Sequence, residues 1–177
     1  MRLFIAIQLN DEMKDALQDM QSYMRSRGVK GNYTKRENLH LTLAFIGEFD
    51  DPQPVLEAIG RAKLRPFDIA LTGAGSFRSL WWAGIDGGMA LQSFARRLRR
   101  ELDDAGIPYD RKKFSPHITL IRKPECCGAD TERDILAALN DSCDTKEIRM
   151  TVDHASLMRS DRSERGMIYT ELTKGSD

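Results

Sequence analysis

The chain of 177 residues is expected to adopt an α+β fold, with two pseudo-symmetric lobes whose antiparallel sheets are flanked by helices around a central cleft. Three observations predict this. Segments with strand-like alternation and segments with helical periodicity interleave along the chain. One short word occurs twice, as His40-Leu41-Thr42-Leu43 and as His117-Ile118-Thr119-Leu120, and uses two of only three histidines. A helical segment precedes each word and another follows it, the order that a duplicated half would leave. At average residue usage a histidine is followed by an apolar residue, Thr and Leu with odds on the order of one in several hundred.

The elements follow in order. Leu3 to Leu9 alternates as a strand, and Asn10 or Asp11 then caps a helix through Arg27 with Met13, Leu17, Met20 and Met24 on one face. Gly28 and Gly31 bracket its exit. Leu39 to Ile46 is the strand of the first word, and Val55 to Lys63 reads as a helix stopped before Pro66. Phe67 to Leu71 and Leu80 to Ile85 form a hairpin around the Gly- and Ser-rich TGAGSFRS segment. Met89 to Ala105 is a helix whose apolar stripe is Leu91, Phe94, Ala95, Leu98 and Leu102, ended by Gly106. Ser115 to Ile121 is the strand of the second word. Thr131 to Asn140 is a short helix, and Glu147 to Met158 and Met167 to Leu172 are two closing strands. One bilobal unit over residues 1–177 is the expected organisation.

Composition narrows the setting. Lys plus Arg and Asp plus Glu number 27 each, so no overall basic field would draw in long nucleic acid by counterion release. A nucleic-acid partner is expected to be short or gripped at an end. Three cysteines, Cys126, Cys127 and Cys143, lack the spacing of a secreted disulfide framework, which points to a reducing compartment and a cytoplasmic protein. The apolar run near the N-terminus is too short to span a bilayer, so no membrane association is expected. No C-x-x-C spacing exists, and no metal site is expected.

The word itself carries chemistry. A strand points residues i and i+2 to one face, so each word presents an imidazole and a hydroxyl side by side while the intervening Leu or Ile faces the core. Two such strands packed together would aim two imidazoles and two hydroxyls at one point, a cradle for a tetrahedral oxyanion. Histidine has a reference pKa near ~6.5, so a pair can hold opposite protonation states at neutral pH and serve as acid and base.

These words lie 77 positions apart and resemble the paired H-x-T-x signatures of the two-histidine (2H) phosphoesterases. The flanks MRLFIAI, YTKRENLHLTLAFIGE, FSPHITLIRK and SLMRSDRSERGMIYTEL resemble the RNA 2′,3′-cyclic phosphodiesterase branch, also described as 2′-5′ RNA ligases. The resemblance implies that water opens a 2′,3′-cyclic phosphate at an RNA or nucleotide end to leave a 2′-phosphate, without metal or cofactor. It implies His40 as the acid at the 3′ oxygen and His117 as the base on water. Thr42 and Thr119 would donate to the phosphoryl oxygens, and Arg122 would bind the phosphate. Arg122 lies an odd number of positions from His117, so it reaches the groove only if the strand has ended or twisted there. The expected partners are RNA ends or nucleotides carrying a 2′,3′-cyclic phosphate, bound by a monomer.

Other features have ordinary readings. His154 reads as a packed or hydrogen-bonded histidine, and the arginines 96, 97, 99 and 100 as a solvated helix face. Trp81 and Trp82 point to opposite faces of a strand, so one at most can stack on a base. Tyr33 and Phe45, near the first word, are candidates for base stacking, with core packing the stronger reading for Phe45. Two alternatives remain beside hydrolysis. The reverse reaction, 2′-5′ ligation, shares the transition state. A module that grips an RNA end without turnover would more naturally use Arg or Lys, which stay charged.

Overall fold

The computed structural model describes residues 1–126 and 128–173. It contains β1 (Arg2–Gln8), α1 (Asp11–Ser26), β2 (Lys30–Tyr33), β3 (His40–Glu48), α2 (Gln53–Ala62), β4 (Phe67–Phe77), β5 (Leu80–Asp86), α3 (Gly88–Asp104), β6 (His117–Glu125), α4 (Ala129–Thr145), β7 (Arg149–Val152), β8 (Ser156–Ser163) and β9 (Gly166–Leu172). All strand pairs are antiparallel, in one sheet ordered β3-β1-β8-β9 and another ordered β2-β6-β5-β4-β7. Set β2 aside and the two orders correspond strand for strand. In each, a histidine strand pairs with the strand that precedes it across a helix, so the two lobes are pseudo-symmetric about a cleft.

The main core fills the side of both sheets that faces the helices. Leu3, Ile5 and Ile7 of β1, Leu41 and Leu43 of β3, and Ile118, Leu120 and Ile121 of β6 belong to one contiguous cluster of buried residues. Helix α1 contributes Met13, Leu17, Met20 and Met24, and α3 contributes Leu91, Phe94, Leu98 and Leu102. These are the stripes their spacing predicts. Asn10 caps α1 by accepting from the Met13 amide at 2.9 Å, which offsets one of the free amides of the first turn. No helix among the described residues is long and apolar enough to cross a membrane.

Several boundaries differ from expectation for physical reasons. The TGAGSFRS segment is not a loop: β4 runs on to Phe77, and the hairpin turns over Arg78 and Ser79. Its glycines are a requirement of packing, since a Cβ on Gly75 would sit 2.2 Å from the Trp82 indole. The predicted strand Glu147 to Met158 divides at Asp153–Ala155, because β7 closes the second sheet while β8 pairs with β1 in the first. Strand β2 and the 3-10 turn Arg36–Asn38 have no periodic signal and were not expected; β2 is recruited by pairing with β6. Helix α4 is longer than Thr131 to Asn140 at both ends.

Candidate active site

The two words open their strands in the same way. His40 is the first residue of β3, opposite Gln8, and His117 is the first residue of β6, opposite Gly84. His40 Nδ1 lies 2.6 Å from the carbonyl of Asn38, and His117 Nδ1 lies 2.7 Å from the carbonyl of Ser115, each two residues upstream. A carbonyl can only accept, so Nδ1 carries the hydrogen in both rings and Nε2 is left as the reactive nitrogen. Thr42 Oγ1 lies 2.9 Å from His40 Nε2.

Beyond the threonines both strands carry a bulge at the same point of the word. On β3, Thr42 pairs with Ala6 and Ala44 with Ile5, so Leu43 is the extra residue. On β6, Thr119 pairs with Trp82 and Ile121 with Trp81, so Leu120 is the extra residue. A bulge adds one residue and reverses the alternation that follows it. Leu43 and Ala44 are therefore both buried, as are Leu120 and Ile121. The reversal answers the parity objection to Arg122. It lies within β6, not after its end, and the bulge puts it on the face of His117 and Thr119. On β3 the same reversal puts Phe45 on the face of His40.

Sequence reasoning did not foresee what holds the second bulge. The Leu120 carbonyl accepts from the Thr34 amide at 3.0 Å and from Gln21 Nε2 at 2.9 Å. Gln21 is 2% exposed and sits on the apolar face of α1. Its amide also donates to the Thr34 carbonyl at 2.9 Å, so this buried polar group is satisfied. A polar residue at a core position of a periodic helix was the available signal.

The electrostatics join the two sheets. His40 titrates below the ordinary 6.5, mainly because burial penalises its cation; the Asn38 carbonyl opposes this, and the Arg122 and His117 charges add to it. Aromatic rings flank both imidazoles. Phe4 and Tyr169 stand 4.8 and 5.2 Å from His40, and Phe77 and Trp82 stand 5.8 and 6.5 Å from His117, between ring centroids. Trp81 is in the core and Trp82 on the groove, as their opposite faces require. Tyr33 packs on the core with Arg25 over its ring at 4.0 Å and its hydroxyl donating to the Val29 carbonyl, so it is spent structurally. His154 is exposed and hydrogen-bonded to the Asp153 carboxylate at 2.6 Å. Arg97 and Arg99 donate to backbone carbonyls of residues 62 and 112.

No group of three or more His, Cys, Asp or Glu side chains placed to hold a metal occurs among the described residues. Cys126 and Cys143 are free thiols, and Cys127 lies outside the described residues.

A groove of this kind, with a duplicated His-x-Thr strand on each side, defines a two-histidine phosphoesterase fold. The family model described as the 2′-5′ RNA ligase superfamily matches residues 10–164, and the chain belongs to that superfamily. Proteins named RNA 2′,3′-cyclic phosphodiesterase are similar to it over nearly the whole length. The one from Methanothermobacter thermautotrophicus is 29% identical, covering 97% of this chain and 96% of its own. The one from Thermotoga maritima is 30% identical, covering 97% and 93%. Among solved structures, the TT0787 protein of Thermus thermophilus aligns with a TM-score of 0.73 at 30% identity over 98% of this chain and 96% of its own. Escherichia coli LigT aligns with a TM-score of 0.75 at 26% identity, covering 97% and 94%.

Proposed function

We propose that this chain is an RNA 2′,3′-cyclic phosphodiesterase that hydrolyses cyclic phosphate ends to 2′-phosphates, with His40 and His117 as general acid and base and no metal. The observation that carries the reading is the matched pair of imidazoles, each fixed through Nδ1 to a carbonyl two residues upstream, with Arg122 turned toward them by a bulge. The names of the relatives and the structure of LigT complexed with phosphate support the substrate class.

In this mechanism His117 Nε2 takes a proton from water as its oxygen attacks phosphorus. The bond to the 3′ oxygen breaks in line, and His40 Nε2–H supplies the proton that the leaving oxygen needs. Thr42, Thr119 and Arg122 bind the non-bridging oxygens, where charge accumulates in the transition state. The free protein holds His40 largely neutral at pH 7, since its pKa is lowered. A phosphate anion offsets the Arg122 charge that adds to the effect of burial in lowering it. Substrate binding thus favours the protonated form of the acid. Because both histidines come from one chain, residues 1–177 act as one bilobal unit and a monomer suffices. The lack of a disulfide spacing in the cysteines supports a cytoplasmic setting.

The test is turnover of RNA oligomers and nucleotides with 2′,3′-cyclic ends, with product analysis for 2′- against 3′-phosphate. His40→Ala and His117→Ala should each lower kcat by about 10²- to 10⁴-fold, the usual share of an acid or base. Unchanged rates in both variants would sink the assignment. Activity lost to a chelator and restored by zinc or magnesium would refute the metal-free claim.

A further inference from the structure

The face of the first sheet that carries His40 does not end at the histidine. Cross-strand partners share a face, so Gln8, Ala6, Phe4 and Arg2 of β1 lie on it, with His40, Thr42 and Phe45 of β3, Met158, Ser160 and Arg162 of β8, and Met167, Tyr169 and Glu171 of β9. Phe4, Ala6 and Met158 form a second, small buried cluster on this face, with Phe45 and Tyr169 half-buried against it. Phe4, Ala6 and Met158 are already covered by these neighbours, so the rings this face still offers to a ligand are the half-buried Phe45 and Tyr169.

We infer that this face is a track for single-stranded RNA, receiving the nucleotides on the 5′ side of the cyclic phosphate end. The inference rests on the phosphodiesterase reading and on His40 as the acid. The leaving 3′ oxygen stays on the ribose, so the nucleoside lies on the side of the acid, and water enters from the side of His117. The RNA then continues from His40, beside the Tyr169 ring that reaches it from β9, along β3 toward Phe45, five residues and about 15 Å at ordinary strand rise, a length of roughly two nucleotides.

Charge runs the same way. Arg2 stands over the Phe45 ring at 5.2 Å, and neither Arg2 nor Arg162 has an ion pair among the described residues. Both are exposed. Of the carboxylates on this face, Glu48, opposite Arg2, pairs with the N-terminal ammonium at 3.4 Å, while Glu171, at the histidine end, accepts from the neutral Gln8 and Ser156 at 2.9 and 2.8 Å and keeps its charge, so the cations lie at the end away from it. Rings that stack on any base, interleaved with cations for the phosphates, are the recognition mode of single-stranded nucleic acid without sequence preference. This explains how a chain of zero net charge can hold RNA, through a local and not a global field.

The experiment compares a 2′,3′-cyclic mononucleotide with di-, tri- and tetranucleotides bearing the same end, on the wild type and on Phe45→Ala, Arg2→Ala, Arg162→Ala and Phe77→Ala. The wild type should gain about tenfold or more in kcat/KM from one to three nucleotides, the scale of stacking one or two bases. Phe45→Ala and Arg2→Ala should erase most of that gain, largely through KM, and leave the mononucleotide unchanged. Arg162→Ala should flatten the salt dependence of the oligomers alone. A rate independent of length, an equal loss on mononucleotide and oligomer, or a loss of the gain in Phe77→Ala but not in Phe45→Ala would each overturn the inference. Binding of oligomers with 2′-phosphate ends to the same variants makes the comparison without turnover. Absence of turnover therefore counts against the phosphodiesterase reading, while length dependence of binding still decides the track.

Discussion

His40 shows how one side chain can be tuned by its place. Burial lowers its pKa first, and the cation of Arg122 then adds to that effect. Its folded value lies below the unfolded one near 6.5, so between the two values the unfolded chain binds more protons and stability rises with pH. The stability that comes from keeping His40 neutral is complete above about 6.5 and is lost as pH falls toward the folded value. Bound phosphate should move the ring the other way. NMR titration of His40 is expected to give a midpoint below 6.5 in the free protein and a higher one in saturating phosphate. A midpoint indifferent to phosphate would mean that the anion does not sit between His40 and Arg122.

Element by element, the bulges matter more than the strands that carry them. Without the extra Leu120, Arg122 would point into the core side with Ile118, and the alternation would hide a guanidinium where no counter-charge waits. Gln21 pins that bulge from the neighbouring helix through two hydrogen bonds to backbone carbonyls. Gln21→Leu preserves size and apolar packing but leaves the Leu120 carbonyl with the Thr34 amide alone and takes the Gln21 donor from the Thr34 carbonyl, at about 1–3 kcal/mol. We expect a lower Tm together with a rise in KM that exceeds the stability effect, read at a temperature where the variant is fully folded. Loss of Tm with wild-type KM would show that Gln21 is structural only. Both bulges escaped the sequence reading because an inserted residue leaves the word unaltered: HLTLA and HITLI look like ordinary alternation until the partner strand is seen.

At the scale of the molecule, one contiguous core runs beneath both sheets, from Leu3 and Leu41 to Leu120 and Val152. Lobes that share a core should melt together. Calorimetry is expected to give one transition with equal calorimetric and van't Hoff enthalpies, and two resolved transitions would count against a single bilobal unit. The proposed acid and base depend on that union, since β3 and β6 belong to different sheets and face each other only when both are folded.

The sequence alone determined a great deal here. The period of Met13, Leu17, Met20 and Met24, the stop at Gly106, and the repeated His-x-Thr word are local patterns, and local patterns are written in spacing. Only the tertiary structure could decide the rest. Strand β2 has no apolar period and exists because β6 offers it an edge. The segment from Glu147 to Met158 is split between two sheets by partners far away in the chain. The reach of Arg122, the lowered pKa of His40, and the ring and cation track beside it all depend on what lies across a sheet or a groove. Hydrogen-bond partners and burial are relations between distant residues, and no window of sequence contains them.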